Sequence, residues 1–161
     1  MESFFGAELE LIKLKDACKS WLGAKYLHMG CSKGGVDCTK FVGLVLEEIG
    51  VIAGIDKDVY YPRDWHIHGK REIVLESFLE HSKLLKVGLS SEILEFTGES
   101  NLLFGDVLCL SLNNRLCNHT AFYLGDGKII HCVQRLGVIE ARLSPQWIDK
   151  VKKVFRLCWS K

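Results

Sequence analysis

Apolar side chains recur at Leu11, Leu14, Cys18, Trp21 and Leu22, the spacing of one helix face over residues 7–22, and Gly23 closes that run. A glycine-containing loop follows, and Asp37 stands where an N-cap belongs for a second helix from Cys38 to about Ile49. Phe41, Val42, Val45, Leu46 and Ile49 give that helix one broad apolar face, and Gly50 stops it, so it is expected to be central and buried. Residues 51–70 lose periodicity around Pro62 and are expected to form a loop, whereas residues 71–86 return to a helical period.

From Leu103 onward the pattern changes. The runs GDVLCLSL, NHTAFYL, KIIHCVQ, GVIEARL and VKKVFRL read as strands, and Gly125-Asp126-Gly127 as a tight turn between the second and third. Residues 144–150 predict a helical turn capped by Ser144, with Pro145 at its first position. There is no internal repeat and no linker-like stretch, so the expectation is one domain over residues 1–161. Helices first and an antiparallel sheet of roughly five strands second make the class α+β.

Composition narrows the functions. The chain has 161 residues, 48% of them hydrophobic, and a net charge of +1 with no basic stripe. That balance argues against nucleic acid as a partner. No apolar run approaches the roughly 20 residues needed to cross a bilayer, so no membrane insertion is expected. The first residues lack the charged start and apolar run of a signal peptide. Seven scattered cysteines without a signal favour reduced thiols. Cys18, Cys109, Cys132 and Cys158 lie in apolar runs and read as packing residues, and Cys31 as a loop thiol.

Cys38 is the exception, because it follows a glycine turn and opens a helix. There the helix dipole and the unpaired first-turn N–H groups favour thiolate, which predicts the lowest pKa of the seven thiols, and they also suit an oxyanion. A nucleophilic thiol needs a base. With a three-residue loop at 125–127, Leu124 faces Lys128, Ala121 faces His131 and His119 faces Val133. His119 and His131 then share a face as diagonal neighbours, about 6–8 Å apart at their β-carbons, whereas a two-residue loop would separate them. In a Cys–His–His set, His119 takes the thiol proton and His131 orients it.

These residues carry a resemblance. The run GAKYLHMGCSKGGVDCTKFVGLVLEEIG is similar to the nucleophile region of the NlpC-type cell-wall peptidases, papain-like cysteine peptidases of bacteria and phages. Tyr26, Gly30, Gly35, Asp37, Cys38, Thr39, Phe41 and Val42 match its pattern. Gly105-Asp106 and the stretch from His119 to His131 match its later strands in the same order. The resemblance implies a papain-like fold, Cys38 as nucleophile, His119 as base and His131 as third polar residue. It places Tyr26, Asp37 and Thr39 around the oxyanion and substrate, Tyr26 through its hydroxyl and Asp37 chiefly as a cap. It implies peptide stems of peptidoglycan as substrate and no metal or other cofactor. Two features depart from the family: Tyr26-Leu27-His28-Met29-Gly30 replaces a Trp-Gly-Gly sequence, and residues 51–100 form a long interval. That longer form resembles members found with phage tails and gene-transfer particles, whose delivery would be by particle, lysis or secretion system.

Other readings compete. Cys117, His119, His131 and Cys132 could be taken for a zinc set, but adjacent His131 and Cys132 point to opposite faces of a strand. Trp65-His66-x-His68, if extended, puts two imidazoles on one side, an arrangement that suits a metal or, the reading favoured here, the rim of a substrate groove. The same fold and thioester also serve acyltransferases and transamidases, and a wall-binding module without activity would keep the fold alone.

Overall fold

In a computed structural model, which describes residues 2–55 and 61–161, the chain is α+β. The first helix, α1 (Glu8–Ser20), buries Leu14, Ala17 and Cys18. A two-residue hairpin, β1 (Cys31–Ser32) with β2 (Gly35–Val36), leads into α2 (Cys38–Glu48). Asp37 caps α2 from extended backbone, its carboxylate accepting the Lys40 N–H at 2.8 Å. Residues 40 to 46 of α2 are all buried, as its pattern demands.

After α2 come α3 (Trp65–His68) and α4 (Ile73–Ser82), then β3 (Leu89–Glu95), β4 (Val107–Leu110), β5 (His119–Tyr123), β6 (Lys128–Val133), β7 (Gly137–Arg142), α5 (Pro145–Ile148) and β8 (Val151–Trp159). The described residues form one six-stranded antiparallel sheet in the order β3-β8-β4-β5-β6-β7. It holds one strand more than the sequence predicts. β3 pairs with β8 along its whole length, from Leu89 opposite Trp159 to Glu95 opposite Lys153.

The period-two alternation of β4, β5 and β6 splits the core. Val107, Cys109, Phe122, Ile130 and Cys132 join α1 and α2 in one apolar cluster. Leu108, Leu110, Ala121, Tyr123 and Ile129 join Leu143, Val151 and Val154 in a second cluster, against which Trp147 and Ile148 of α5 pack. The turn holds Gly125, Asp126 and Gly127 at positive φ, and pairs Tyr123 with Ile129 and Phe122 with Ile130. This is the register that the three-residue loop predicts.

The Gly105-Asp106 corner supports β4. Gly105 has φ +87, and a β-carbon there would lie 2.3 Å from the Phe5 ring. Asp106 is 1% exposed and accepts two hydrogen bonds from Arg156 at 2.8 and 2.7 Å and one from the Leu103 N–H at 2.8 Å.

Candidate active site

Cys38, His119, Tyr26, Asp37 and Thr39 line one cleft of about 430 Å³. The start of α2 is tied to β5 there, because the Thr120 hydroxyl donates to the Cys38 carbonyl at 2.8 Å. The Cys38 sulfur lies 3.7 Å from the Thr39 hydroxyl and 3.9 Å from the Asn118 carbonyl. Asn118 immediately precedes His119, so the sulfur sits at the entrance of the histidine strand. Among the described residues it makes no hydrogen bond to an imidazole. Thr120 engages the helix start through its hydroxyl, while the His119 ring, which lines the same cleft, is bonded to His131.

His119 and His131 meet as the register requires. His119 Nε2 lies 2.8 Å from His131 Nδ1, and the rings are 5% and 1% exposed by residue. Burial pushes both imidazoles below the usual histidine range, so both are neutral at pH 7. With the shared proton assigned to His119 Nε2, which donates to His131 Nδ1, the Nδ1 of His119 is left as an acceptor.

The thiol departs from expectation. The helix start alone favours thiolate, yet burial, and then the neighbouring Asp37 carboxylate, push the Cys38 thiol up to about 11. The Thr39 and Thr120 side chains oppose this without reversing it. At neutral pH the resting pair is therefore thiol and neutral imidazole.

Asp37 is a buried cap that accepts three hydrogen bonds. Its carboxylate accepts from Lys40 N at 2.8 Å, from Met29 N at 2.9 Å and from the Tyr61 hydroxyl, and the residue is 3% exposed. Met29 holds φ +61, and from that backbone its N–H reaches the Asp37 carboxylate. Tyr26 hydrogen-bonds Gln134, and its hydroxyl pKa is raised by burial first and by Cys38 and Asp37 after that.

Residues 61–72 form a wall of this cleft. Tyr61, Arg63, Trp65 and His66 line it, and the His28 ring bonds the Tyr61 carbonyl at 2.7 Å. The loop between β4 and β5 holds this segment. Asn113 Nδ2 donates to the His66 carbonyl at 3.0 Å, and Arg115 donates to the carbonyls of Ile67 and Gly69. The Cys117 N–H donates to Glu72 at 3.1 Å. Residues 65–68 are helical and not extended, so the two imidazoles separate: His66 lines the cleft, and His68 faces solvent beside Asp64 at 3.6 Å. The predicted loop over 51–70 thus contains a helical turn.

Periodicity did not reveal two residues of the site. Tyr61 lies in the aperiodic VYYPRDW stretch, and Trp147 lies in the turn at 144–150, where Ser144, expected to cap, makes no side-chain capping hydrogen bond. The Trp147 indole stacks on His119 at 5.9 Å and 29°, and meets His131 edge-on at 5.0 Å and 79°.

No protein-family model matches the sequence, and no curated protein matches it. Solved structures do match. An NlpC/P60 family protein from Bacillus cereus aligns with 89% of this chain and 39% of its own, at 20% identity and a TM-score of 0.60. The NlpC/p60 domain of the peptidoglycan hydrolase SagA aligns over 89% of this chain and 97% of its own, at 19% identity and a TM-score of 0.57. The fold is the NlpC/P60 papain-like fold. An NLP/P60 family protein from Staphylococcus aureus, described as similar to a lipoprotein, aligns over 90% of this chain and 40% of its own, at 14% identity and a TM-score of 0.54. The chain spans about two-fifths of the length of the Bacillus and Staphylococcus NlpC/P60 proteins. Among the described residues, no helix is long and apolar enough to cross a membrane.

Proposed function

We propose that this chain is a cysteine peptidase that hydrolyses amide bonds in the peptide stems of peptidoglycan. The observation that carries the reading is the meeting of three chemistries in one NlpC/P60 cleft: a thiol at a helix start, a buried imidazole, and a second imidazole bonded to the first. The similar SagA domain is that of a peptidoglycan hydrolase.

Cys38 leaves the Asn118 carbonyl and gives its proton to His119 Nδ1 as the sulfur attacks the amide carbon. The sulfur–carbon bond forms, and the carbonyl electrons move to oxygen. First-turn N–H groups of α2 that the Asp37 cap does not take, with the Tyr26 hydroxyl, stabilise that oxyanion. Collapse breaks the carbon–nitrogen bond, and His119 returns its proton to the leaving amine. Water, deprotonated by His119, then attacks the thioester carbon; the carbon–sulfur bond breaks, the free acid leaves, and His119 returns the proton to the Cys38 sulfur. His131 keeps the His119 proton on Nε2 through both halves.

The cleft suits an extended, polar substrate, since Arg63, His66, Asn113 and Gln134 line it beside Tyr61 and Trp65. Digestion of purified sacculi, followed by mass spectrometry of the released fragments with and without an added amine acceptor, tests the reading. New fragments ending in a free acid, absent with Cys38→Ser, support it. Unchanged sacculi, or a new amide as the product, contradict it.

A further inference from the structure

The two histidines do not hold each other unaided. The hairpin brings them together, but an imidazole on a strand turns about χ1 and χ2, and a hydrogen bond open to water is readily exchanged. The structure supplies a third body. Trp147 touches both rings, stacked on one and edge-on to the other. It is also partly buried against the second core cluster, so the indole joins the histidine pair to that cluster.

The segment that carries Trp147 is fixed at both ends. The Leu143 N–H donates to the Gly127 carbonyl at 2.7 Å, which ties its start to the β5–β6 turn. The Lys150 carbonyl accepts from the Ser111 N–H at 2.8 Å, which ties its end to β4. Between these anchors, the Ile148 N–H bonds the Ser144 carbonyl at 2.9 Å and the Lys150 N–H bonds the Trp147 carbonyl at 3.0 Å. A single helical turn of four residues has little stability alone. Its tethers and its Trp147 packing position it.

We infer that Trp147 is a positioning residue, a fixed aromatic cover that holds the rings of His119 and His131 in their shared hydrogen bond and keeps water from them. Trp147 transfers no proton. It acts through the pair, by fixing two ring orientations and by keeping both imidazoles neutral in a dry setting. Other groups around the pair do not supply this cover. From the start of α2 come Cys38 and the capping Asp37, whose carboxylate is engaged by three donors. From the loop before β1 come Tyr26 and His28, and from the wall segment Tyr61, Arg63 and His66. Cys132, next to His131, donates to the Val36 carbonyl at 3.1 Å on the α2 side. The two charged residues just after α5, Asp149 and Lys150, are exposed and half-buried respectively.

The catalytic consequence rests on the peptidase reading; the positional claim does not need a substrate. Nitrogen-15 NMR of the imidazoles as a function of pH therefore tests it on the intact chain, comparing wild type with Trp147→Ala, Trp147→Leu and Trp147→Phe. In wild type both rings stay neutral well below the usual histidine range. Trp147→Ala and Trp147→Leu are expected to raise at least one midpoint by about one unit as water enters, with Trp147→Phe restoring it, because an aromatic plate can still cover the pair. On a stem peptide, kcat is expected to fall about tenfold for Trp147→Ala and to recover with Trp147→Phe. If Trp147→Ala does not fold, Trp147→Leu decides. Imidazole midpoints unchanged in the folded variant overturn the inference. An intact titration effect in a protein that cuts no sacculi would sink the peptidase reading and leave this one standing.

Discussion

His119 Nε2 stands 2.8 Å from His131 Nδ1, both rings are buried, and the thiol across the cleft bonds neither of them. This fixes the order of importance of the two histidines. His119 keeps a free ring nitrogen and lines the cleft with Cys38, whereas His131 is joined to the site through His119. His119→Ala is expected to lower kcat on a stem peptide about 10³-fold or more, the loss of a general base. His131→Ala is expected to cost less, about 10²-fold, and His131→Asn to recover much of it by offering an acceptor to Nε2. Equal losses for His131→Ala and His131→Asn would refute the orienting role.

Burial sets the pH dependence. Both imidazoles titrate below the usual 6.5, and the thiol is pushed up to about 11. In the proposed mechanism turnover requires a neutral His119, so on the acid side activity is expected to be lost only as the pH falls through the depressed imidazole values. The kcat/KM profile is expected to hold its plateau across pH 6.5, with an acid midpoint below it. A midpoint at or above 6.5 would contradict the dry histidine pair.

Tyr61 bears on the thiol through Asp37. Its hydroxyl donates to the Asp37 carboxylate, whose charge raises the Cys38 pKa. Tyr61→Phe removes that donor and leaves the carboxylate charge less compensated, so the thiol is expected to rise further. Iodoacetamide labelling of Cys38 at pH 8, read by mass spectrometry of its peptide, is expected to slow severalfold, on the order of threefold or more. Faster labelling would show that Tyr61 acts mainly by shielding.

How much of this was legible beforehand follows the range of the interactions. The α2 helix, its Asp37 cap and the 125–127 turn are local, and their residues specify them within a few positions. Strand β3 is not local: LSSEILE is an edge strand with mixed burial, and only its pairing with β8 makes it a strand. The wall at residues 61–72 is held by Asn113 and Arg115, bonding backbone carbonyls some 46 to 49 positions away, and such bonds leave no period in a sequence. The protonation of Cys38 departs from the helix-start expectation for a related reason. A helix start is visible in the chain, but the burial that outweighs it is created by the fold.

The Gly105-Asp106 corner makes a stability prediction separate from chemistry. Asp106→Ala strips a buried carboxylate from Arg156 and from the Leu103 N–H. Removing one partner of such a pair costs about 3–5 kcal/mol. Urea unfolding is expected to show a loss of about 3 kcal/mol or more, with activity per folded molecule near wild type. A loss below about 1 kcal/mol would mean that the pair is solvated.

The most direct measurement is the mass of the enzyme itself. Wild-type protein mixed with a stem peptide, acid-quenched within one turnover and digested, is predicted to carry the acyl fragment on the peptide containing Cys38. Cys38→Ala should carry none and release no product. Product formation without any adduct on Cys38, or an adduct on another of the seven cysteines, would contradict the account.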